Sequence, residues 1–174
     1  LIKNQIGSNN QKGWPVAVRD RIAFPHFSEL RITEANVGVA ILWTMRDAVV
    51  PKIEKENTAL VANFYTPAGL EPMVRNILAN PFIRYVILFG EEHSLKSSGN
   101  KLSELTLLEL ISANAVRTFF KKGVNENRKI DGFENAVYFD KNIPLELIEK
   151  IRENVEFIDL NEKMPGATLD EKIK

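Results

Sequence analysis

The 174-residue sequence contains no cysteine and only two histidines, His26 and His93. Without cysteine the chain cannot form disulfide bonds, thiolate metal sites or iron–sulfur clusters, and it has no cysteine nucleophile. Two histidines are too few for a multi-histidine metal site, and no segment has the acidic spacing of a calcium-binding loop. A carboxylate-rich Mg²⁺ or Ca²⁺ site is left open, and no metal site is assigned from the sequence alone.

The chain also has no formal net charge, because its 23 basic residues balance its 23 acidic ones. A chain without a net positive field is not expected to bind nucleic acid. The longest strongly apolar run, residues 37–45, is far shorter than the roughly 18 residues that span a membrane. No secretory signal is visible, so we expect a cytoplasmic protein without a membrane span.

The sequence instead alternates two hydrophobic patterns. Short apolar runs typical of buried strands alternate with segments whose apolar residues recur every three or four positions, as in amphipathic helices. Strands are predicted at residues 14–24, 37–45, 59–66, 84–90, 135–139 and 155–160, and helices at 66–80, 101–123 and 143–154. This order predicts an α/β fold: a Rossmann-like, mostly parallel sheet with helices on both faces, in a single domain. We expect residues 1–13 to be a flexible head or linker, 14–160 the α/β domain, and 161–174 a polar tail.

The loop after the apolar strand RYVILFG is the first candidate for a functional site. It leaves the carboxyl end of a buried strand, where open α/β sheets bind ligands. A TPAG segment follows the preceding strand and is expected at the same edge of the sheet. Backbone N–H groups of small residues at a helix start can hold a phosphate or a carboxylate. The candidate ligand-binding residues are therefore Thr66, Gly69, Gly90, Glu91, His93, Ser97, Ser98, Gly99 and Asn100.

These candidates also have purely structural interpretations. His93 can be a solvated loop histidine whose charge is favoured by neighbouring acids, and the SSGN segment at 97–100 can be a helix-capping turn. His26, between aromatic residues in FPHF, is expected to be a packed structural residue. Glu91 and Glu92 leave the strand at its carboxyl end, but no spacing indicates an acid–base pair, so no catalytic residue is assigned.

Three stretches carry a family resemblance. TPAGLEPMVRNILANPFIRYVILFGEE, residues 66–92, resembles the part of the A subunit of tetrahydromethanopterin S-methyltransferase in which a glycine-containing helix start leads to N-x-x-x-N-P-x-I-R, an apolar strand and a glycine. GVNENRKIDG, residues 123–132, is similar to a G-I-D-x-x-x-x-I-x-G stretch of that family. IPLELIEKIRENVEFIDL resembles the family's closing helix and strand, so the resemblance covers residues 59–160.

The resemblance implies an α/β domain that holds a cobamide, with a loop histidine as the lower axial ligand of cobalt. In the family this histidine lies three residues before a loop glycine. Counting back from Gly99 places Lys96 there, and an alignment shifted to Ala113 and Asn114 places Leu110 there. Neither side chain can replace an imidazole. His93 is then the candidate cobalt ligand, from a position three residues earlier in the loop.

The resemblance also links the chain to methanogen-type thymidylate synthases and to dihydropteroate-synthase-like pterin-binding proteins, to which similar archaeal-type domains are appended. This setting implies one-carbon metabolism with tetrahydromethanopterin. The chain starts at Leu1 rather than methionine, as expected of a fragment. The expected partner is accordingly another domain of the same longer protein, or a second copy in a homo-oligomer.

Three functions are left open by the sequence. The first is an accessory or ligand-binding domain, with a cobamide or a pterin as the candidate ligand. The second is a corrinoid methyl carrier that uses His93, and the third is an enzyme that acts on a phosphate-bearing substrate through residues 66–69 and 90–100. Thymidylate synthase catalysis by this chain itself is excluded, because that reaction needs a cysteine.

Overall fold

The computed structural model describes residues 35–80, 82–93, 111–133 and 138–174. Within these ranges the strands are β1 (Val37–Ile41), β2 (Thr58–Asn63), β3 (Tyr85–Phe89) and β4 (Glu156–Asp159). The α-helices are α1 (Arg46–Val49), α2 (Leu70–Ala79), α3 (Ser112–Lys122), α4 (Leu145–Asn154), α5 (Leu160–Lys163) and α6 (Leu169–Ile173). Short 3-10 helices cover Val50–Lys52 and Pro67–Gly69. The predicted head at 1–13 and edge strand at 14–24 lie outside the described residues.

The strands form one sheet in the order β2-β1-β3-β4, and every neighbouring pair is parallel. In the centre of the sheet, Val39 lies opposite Val61 on one side and opposite Ile87 on the other. The prediction of a Rossmann-like α/β domain is therefore confirmed. Of the strand predicted at 135–139, the described part contains one antiparallel bridge, between Tyr138 and Lys129.

Alternation along the central strands separates two hydrophobic clusters, one on each face of the sheet. Ala40 and Leu42 belong to the larger cluster, which packs against α2, α3 and α4. Val39 and Ile41 point to the opposite face and pack with Val49 of α1 and with apolar residues of α5 and α6. Both faces are covered by helices, as the long apolar runs of the central strands predict.

Helix boundaries follow from a few residues. Gly123 ends α3 with φ 86°, so the helix stop predicted there is confirmed. The segment predicted as a polar tail contains two short helices. Asp159 accepts hydrogen bonds from two backbone N–H groups at the start of α5, and Thr168 and Glu171 form a capping box at the start of α6.

Helix length bears on any association with membranes. The longest α-helix in the described ranges is α3, with 11 residues. In this part of the chain no helix combines the length and the apolar composition needed to cross a lipid bilayer.

Candidate functional site

The order of the strands determines where a ligand site is expected. The chain passes from β1 to β2 on one side of the sheet and later returns to β3 on the other side of β1. β1 and β3 are therefore neighbours whose outgoing connections diverge, and such switch points bind ligands at the carboxyl ends of the strands. Here those ends lead into residues 42–45 after β1 and residues 90–93 after β3.

The two loops are joined directly to each other. Leu42 N–H donates to the Phe89 carbonyl at 2.9 Å, and Trp43 N–H donates to the Glu91 carbonyl at 2.8 Å. In return, Glu91 N–H donates to Thr44 Oγ1 at 3.0 Å. The pairing of β1 with β3 thus continues past the last strand residues and fixes the start of the candidate loop.

Gly90 is required at this junction. Its φ of 108° is a conformation that L residues rarely adopt, and a Cβ atom there would lie 2.9 Å from Thr44 Oγ1. The glycine turns the chain sharply out of β3 while staying close to the loop after β1. Its carbonyl accepts a hydrogen bond from Asn161 Nδ2 at 2.8 Å, which ties the same turn to α5.

His93 lies over this junction. Its Nε2 atom is 2.7 Å from Glu91 Oε2, and its ring stacks on Trp43 with centroids 6.2 Å apart and planes at 21°. Trp43 in turn contacts Tyr65, from the loop after β2, at a centroid distance of 5.1 Å. We call Tyr65, Trp43 and His93 the aromatic row. It crosses the carboxyl ends of β2, β1 and β3 and offers a partly exposed surface on which a flat conjugated ligand can stack.

The TPAG segment contributes fewer free backbone donors than its sequence predicts. Gly69 N–H donates to the Thr66 carbonyl at 2.9 Å, and Leu70 N–H donates to the Pro67 carbonyl. Thr66 directly precedes the 3-10 helix, but its side chain makes no cap hydrogen bond. The N–H groups of Gly69 and Leu70 are therefore used within the segment and are not free to bind an anion.

Ser97, Ser98, Gly99 and Asn100 lie outside the described residues, as do Lys96 and Leu110. Across the ranges that the structure does describe, no three acidic or histidine side chains come together as a metal-binding group.

An ion pair with a buried carboxylate supports the junction from the side of β4. Asp159 is 5% exposed, and its Oδ2 atom lies 2.6 Å from Arg117 Nε of α3. Its other oxygen caps α5, the helix that carries Asn161. Glu92 acts similarly on α3, because its Oε2 atom accepts the Ala113 N–H at 3.1 Å. The two carboxylates thus bind backbone N–H groups at helix starts, and Asp159 also pairs with Arg117. These contacts argue against a role for either carboxylate as an acid–base catalyst.

Sequence reasoning missed Trp43 and Tyr65. Both were included in predicted strands, at 37–45 and 59–66, because they continue apolar runs. The signal that could have found them was their position: each follows the last buried residues of a strand that ends at the ligand-binding edge. Large aromatic residues at strand ends are candidates for ligand contacts in such sheets.

Comparison with known proteins decides the family. The family model that describes the A subunit of tetrahydromethanopterin S-methyltransferase matches residues 10–174. The chain belongs to this A-subunit family. The family resemblance of residues 59–160 is thereby confirmed.

Individual members of the A-subunit family differ in how much of their length this chain spans. It is 30% identical over 165 residues to tetrahydromethanopterin S-methyltransferase A subunit 2 of Methanobrevibacter ruminantium, covering 94% of this chain and 73% of that protein. It is 27% identical over 162 residues to A subunit 2 of Methanothermobacter marburgensis, covering 92% of this chain and 75% of the relative. With A subunit 1 of M. ruminantium it shares 32% identity over 107 residues, which are 61% of this chain but only 38% of that relative.

Proposed function

We propose that this chain is a ligand-binding domain of the A-subunit type that serves pterin-linked one-carbon transfer and leaves the bond-making step to a partner. The observation that carries the proposal is the aromatic row at the β1–β3 switch point of an A-subunit-family fold. Within the described ranges, the acidic side chains beside it cap helices or pair with His93 and Arg117. The expected partner is another domain or subunit, because the relatives are named as subunits of a methyltransferase.

A pterin suits the aromatic row because it is flat, conjugated and rich in hydrogen-bonding groups. Stacking on Trp43 would place such a ring beside the exposed carboxylate of Glu91, whose side chain is 73% exposed. A carboxylate can accept paired N–H groups from a planar heterocycle. The row would bind and orient the ligand, while reaction at the bound ring would need groups supplied by the partner.

A second candidate function is a corrinoid methyl carrier with His93 as the axial ligand of cobalt. The observation that favours it is the pair between His93 Nε2 and Glu91 Oε2. A carboxylate on one ring nitrogen fixes the tautomer and the orientation of the ring, as in many metal-binding histidines. His93 Nδ1 is therefore a chemically suitable single donor, and a bound cobamide would supply the methyl-carrying metal. His93 lies three residues before Lys96, so this function requires a ligand displaced within the loop.

Absorbance titration with a cobamide separates the two functions. Aquacobalamin is added to the purified chain, and the corrin bands are followed for a ligand-exchange shift. The titration is repeated with His93→Ala and, as a matched control, with His26→Ala at the chain's other histidine. A saturable shift that survives His26→Ala and is lost in His93→Ala supports the carrier function. Absence of a shift in the unmodified chain rules that function out.

The pterin proposal has its own titration. Binding of tetrahydromethanopterin is measured by calorimetry for the unmodified chain, Trp43→Ala and Trp43→Phe. Loss of one stacking partner is expected to weaken binding by roughly three- to tenfold in Trp43→Ala, whereas phenylalanine retains most of the affinity. Equal affinities for Trp43→Ala and the unmodified chain would contradict the proposal, as would no binding at all.

A further inference from the structure

A cavity of about 290 Å³ lies between α2 and the face of the sheet that this helix covers. Its floor is formed by Gly38 and Ala40 of β1 and by Ala62 of β2, and α2 contributes Met73 and Asn76. Among the residues that the structure describes, none that lines the cavity carries a charge. The cavity adjoins the aromatic row only through Tyr65, and the proposed function does not use its interior.

Small residues create this space where larger ones would ordinarily fill it. Protein interiors contain few voids larger than a water molecule, and strand positions beneath a helix usually carry branched side chains. The structure does not require a glycine at position 38. A Cβ atom there would lie 3.8 Å from Ile83 and Tyr85, which is an ordinary contact distance. The lining also includes the exposed residues Tyr65 and Thr66, so the cavity is open to ligand entry beside the 3-10 helix.

The fold does not explain why a polar residue, Asn76, lines the cavity. Asn76 is 4% exposed, and its Oδ1 atom has no hydrogen-bond partner among the residues that the structure describes. A buried acceptor without a partner is costly, and an apolar side chain would be expected at this position of α2. The other amide in the lining, Asn63, already donates to the carbonyls of Leu42 and Thr44 at 3.2 and 2.9 Å.

Water is a poor occupant for such a space. A buried water needs two to four polar partners, whereas apolar cavities of about 150 Å³ stay dry and admit molecules of the size of benzene. We propose that the cavity binds a compact, uncharged and mostly apolar molecule that donates one hydrogen bond, through an N–H or O–H group, to Asn76 Oδ1. Its volume admits a ligand larger than a single aromatic ring.

Two probe molecules that differ only in the donor test the proposal on the full chain. 2-Naphthol has an O–H group, and 2-methoxynaphthalene carries the same rings without it. Calorimetry is expected to show one site for each, with 2-naphthol bound roughly five- to tenfold more tightly because it alone can donate to the amide oxygen. Asn76→Leu should fold, because it replaces an unpaired polar group with an apolar one of similar volume, and it should abolish the preference for 2-naphthol.

Filling the cavity is the matched control. Ala62→Leu places a larger side chain in the space and is expected to weaken both probes by at least tenfold, with Ala40→Val as the replacement if Ala62→Leu does not fold. Circular dichroism establishes folding for each variant. The proposal is overturned if the unmodified chain binds neither probe or if the preference for 2-naphthol survives Asn76→Leu. It is also overturned if a folded variant with the cavity filled, Ala62→Leu or Ala40→Val, binds both probes as tightly as the unmodified chain.

Discussion

Replacement of Gly90 by alanine should destabilise the protein strongly, for two separable reasons. Its φ of 108° is unfavourable for alanine, and the added Cβ atom would lie 2.9 Å from Thr44 Oγ1 and 3.2 Å from the backbone nitrogen of Leu42. That nitrogen is held by its hydrogen bond to the Phe89 carbonyl at 2.9 Å. It cannot move away without opening the junction between β1 and β3.

The two contributions can be estimated and separated. Holding a non-glycine residue in a rare backbone conformation costs about 1–3 kcal/mol, and overpacking by one methyl group adds about 1–3 kcal/mol. Gly90→Ala should therefore lose about 4 kcal/mol of unfolding free energy. Gly166 provides the matched control, because its φ is 76° and an added Cβ atom would meet nothing within 4 Å among the described residues. Gly166→Ala should lose only the conformational part, about 1–2 kcal/mol.

Urea-induced unfolding followed by far-ultraviolet circular dichroism measures both variants. With a denaturant dependence of about 2 kcal/mol per molar, the midpoint should fall by about 2 M for Gly90→Ala and by at most about 1 M for Gly166→Ala. Equal losses in the two variants would refute the close contact at the junction, because both replacements impose a comparable conformational cost.

Three further predictions use the same unfolding assay. Asp159→Ala should lose about 2–4 kcal/mol, because it removes the cap of α5 and the buried carboxylate that pairs with the half-buried Arg117, and Asp159→Asn should lose less because its remaining oxygen can still cap α5; equal losses would contradict the cap. Arg128→Lys should lose about 2 kcal/mol, because the Arg128 guanidinium donates to three backbone carbonyls within residues 139–143 and lysine cannot reproduce that fork; an unchanged midpoint would contradict this. Hydrogen bonds from Thr168 hold the pKa of Glu171 below its usual value of 4.5. The stability that the Glu171 carboxylate adds to the folded protein is therefore fully present above pH 4.5, and it is lost as the pH falls through the pKa of the folded state. Glu171→Gln should accordingly lose less stability on acidification than the unmodified chain, and an identical acid profile would argue against the capping box.

The sequence was most informative where hydrophobic patterns are long and regular. The runs VGVAI and YVILF have no polar face, which predicted central strands buried on both sides, and β1 and β3 are those strands. The short helices α5 and α6 were not predicted, because four or five residues are too few to show helical periodicity. The spacing of Thr168 and Glu171 was the local signal that could have identified α6.

The candidate site was predictable only in part, for a related reason. The edge of the sheet and the loop with Gly90, Glu91 and His93 follow from local sequence. The contact between His93 and Trp43 does not, because it depends on β1 pairing with β3 rather than with a strand nearer in sequence. Contacts set by strand order are a property of the tertiary fold, and single-sequence patterns do not encode that order directly.

The hydrogen bonds that join the two loops have a consequence for motion on slow timescales. Trp43 N–H and Glu91 N–H each donate across the junction, in opposite directions. We expect an opening of the junction to break both bonds and so to expose both amides to exchange with solvent. The loops after β1 and β3 therefore behave as a single kinetic unit. We therefore expect a molecule that binds only one of the loops to slow deuterium uptake in the other as well.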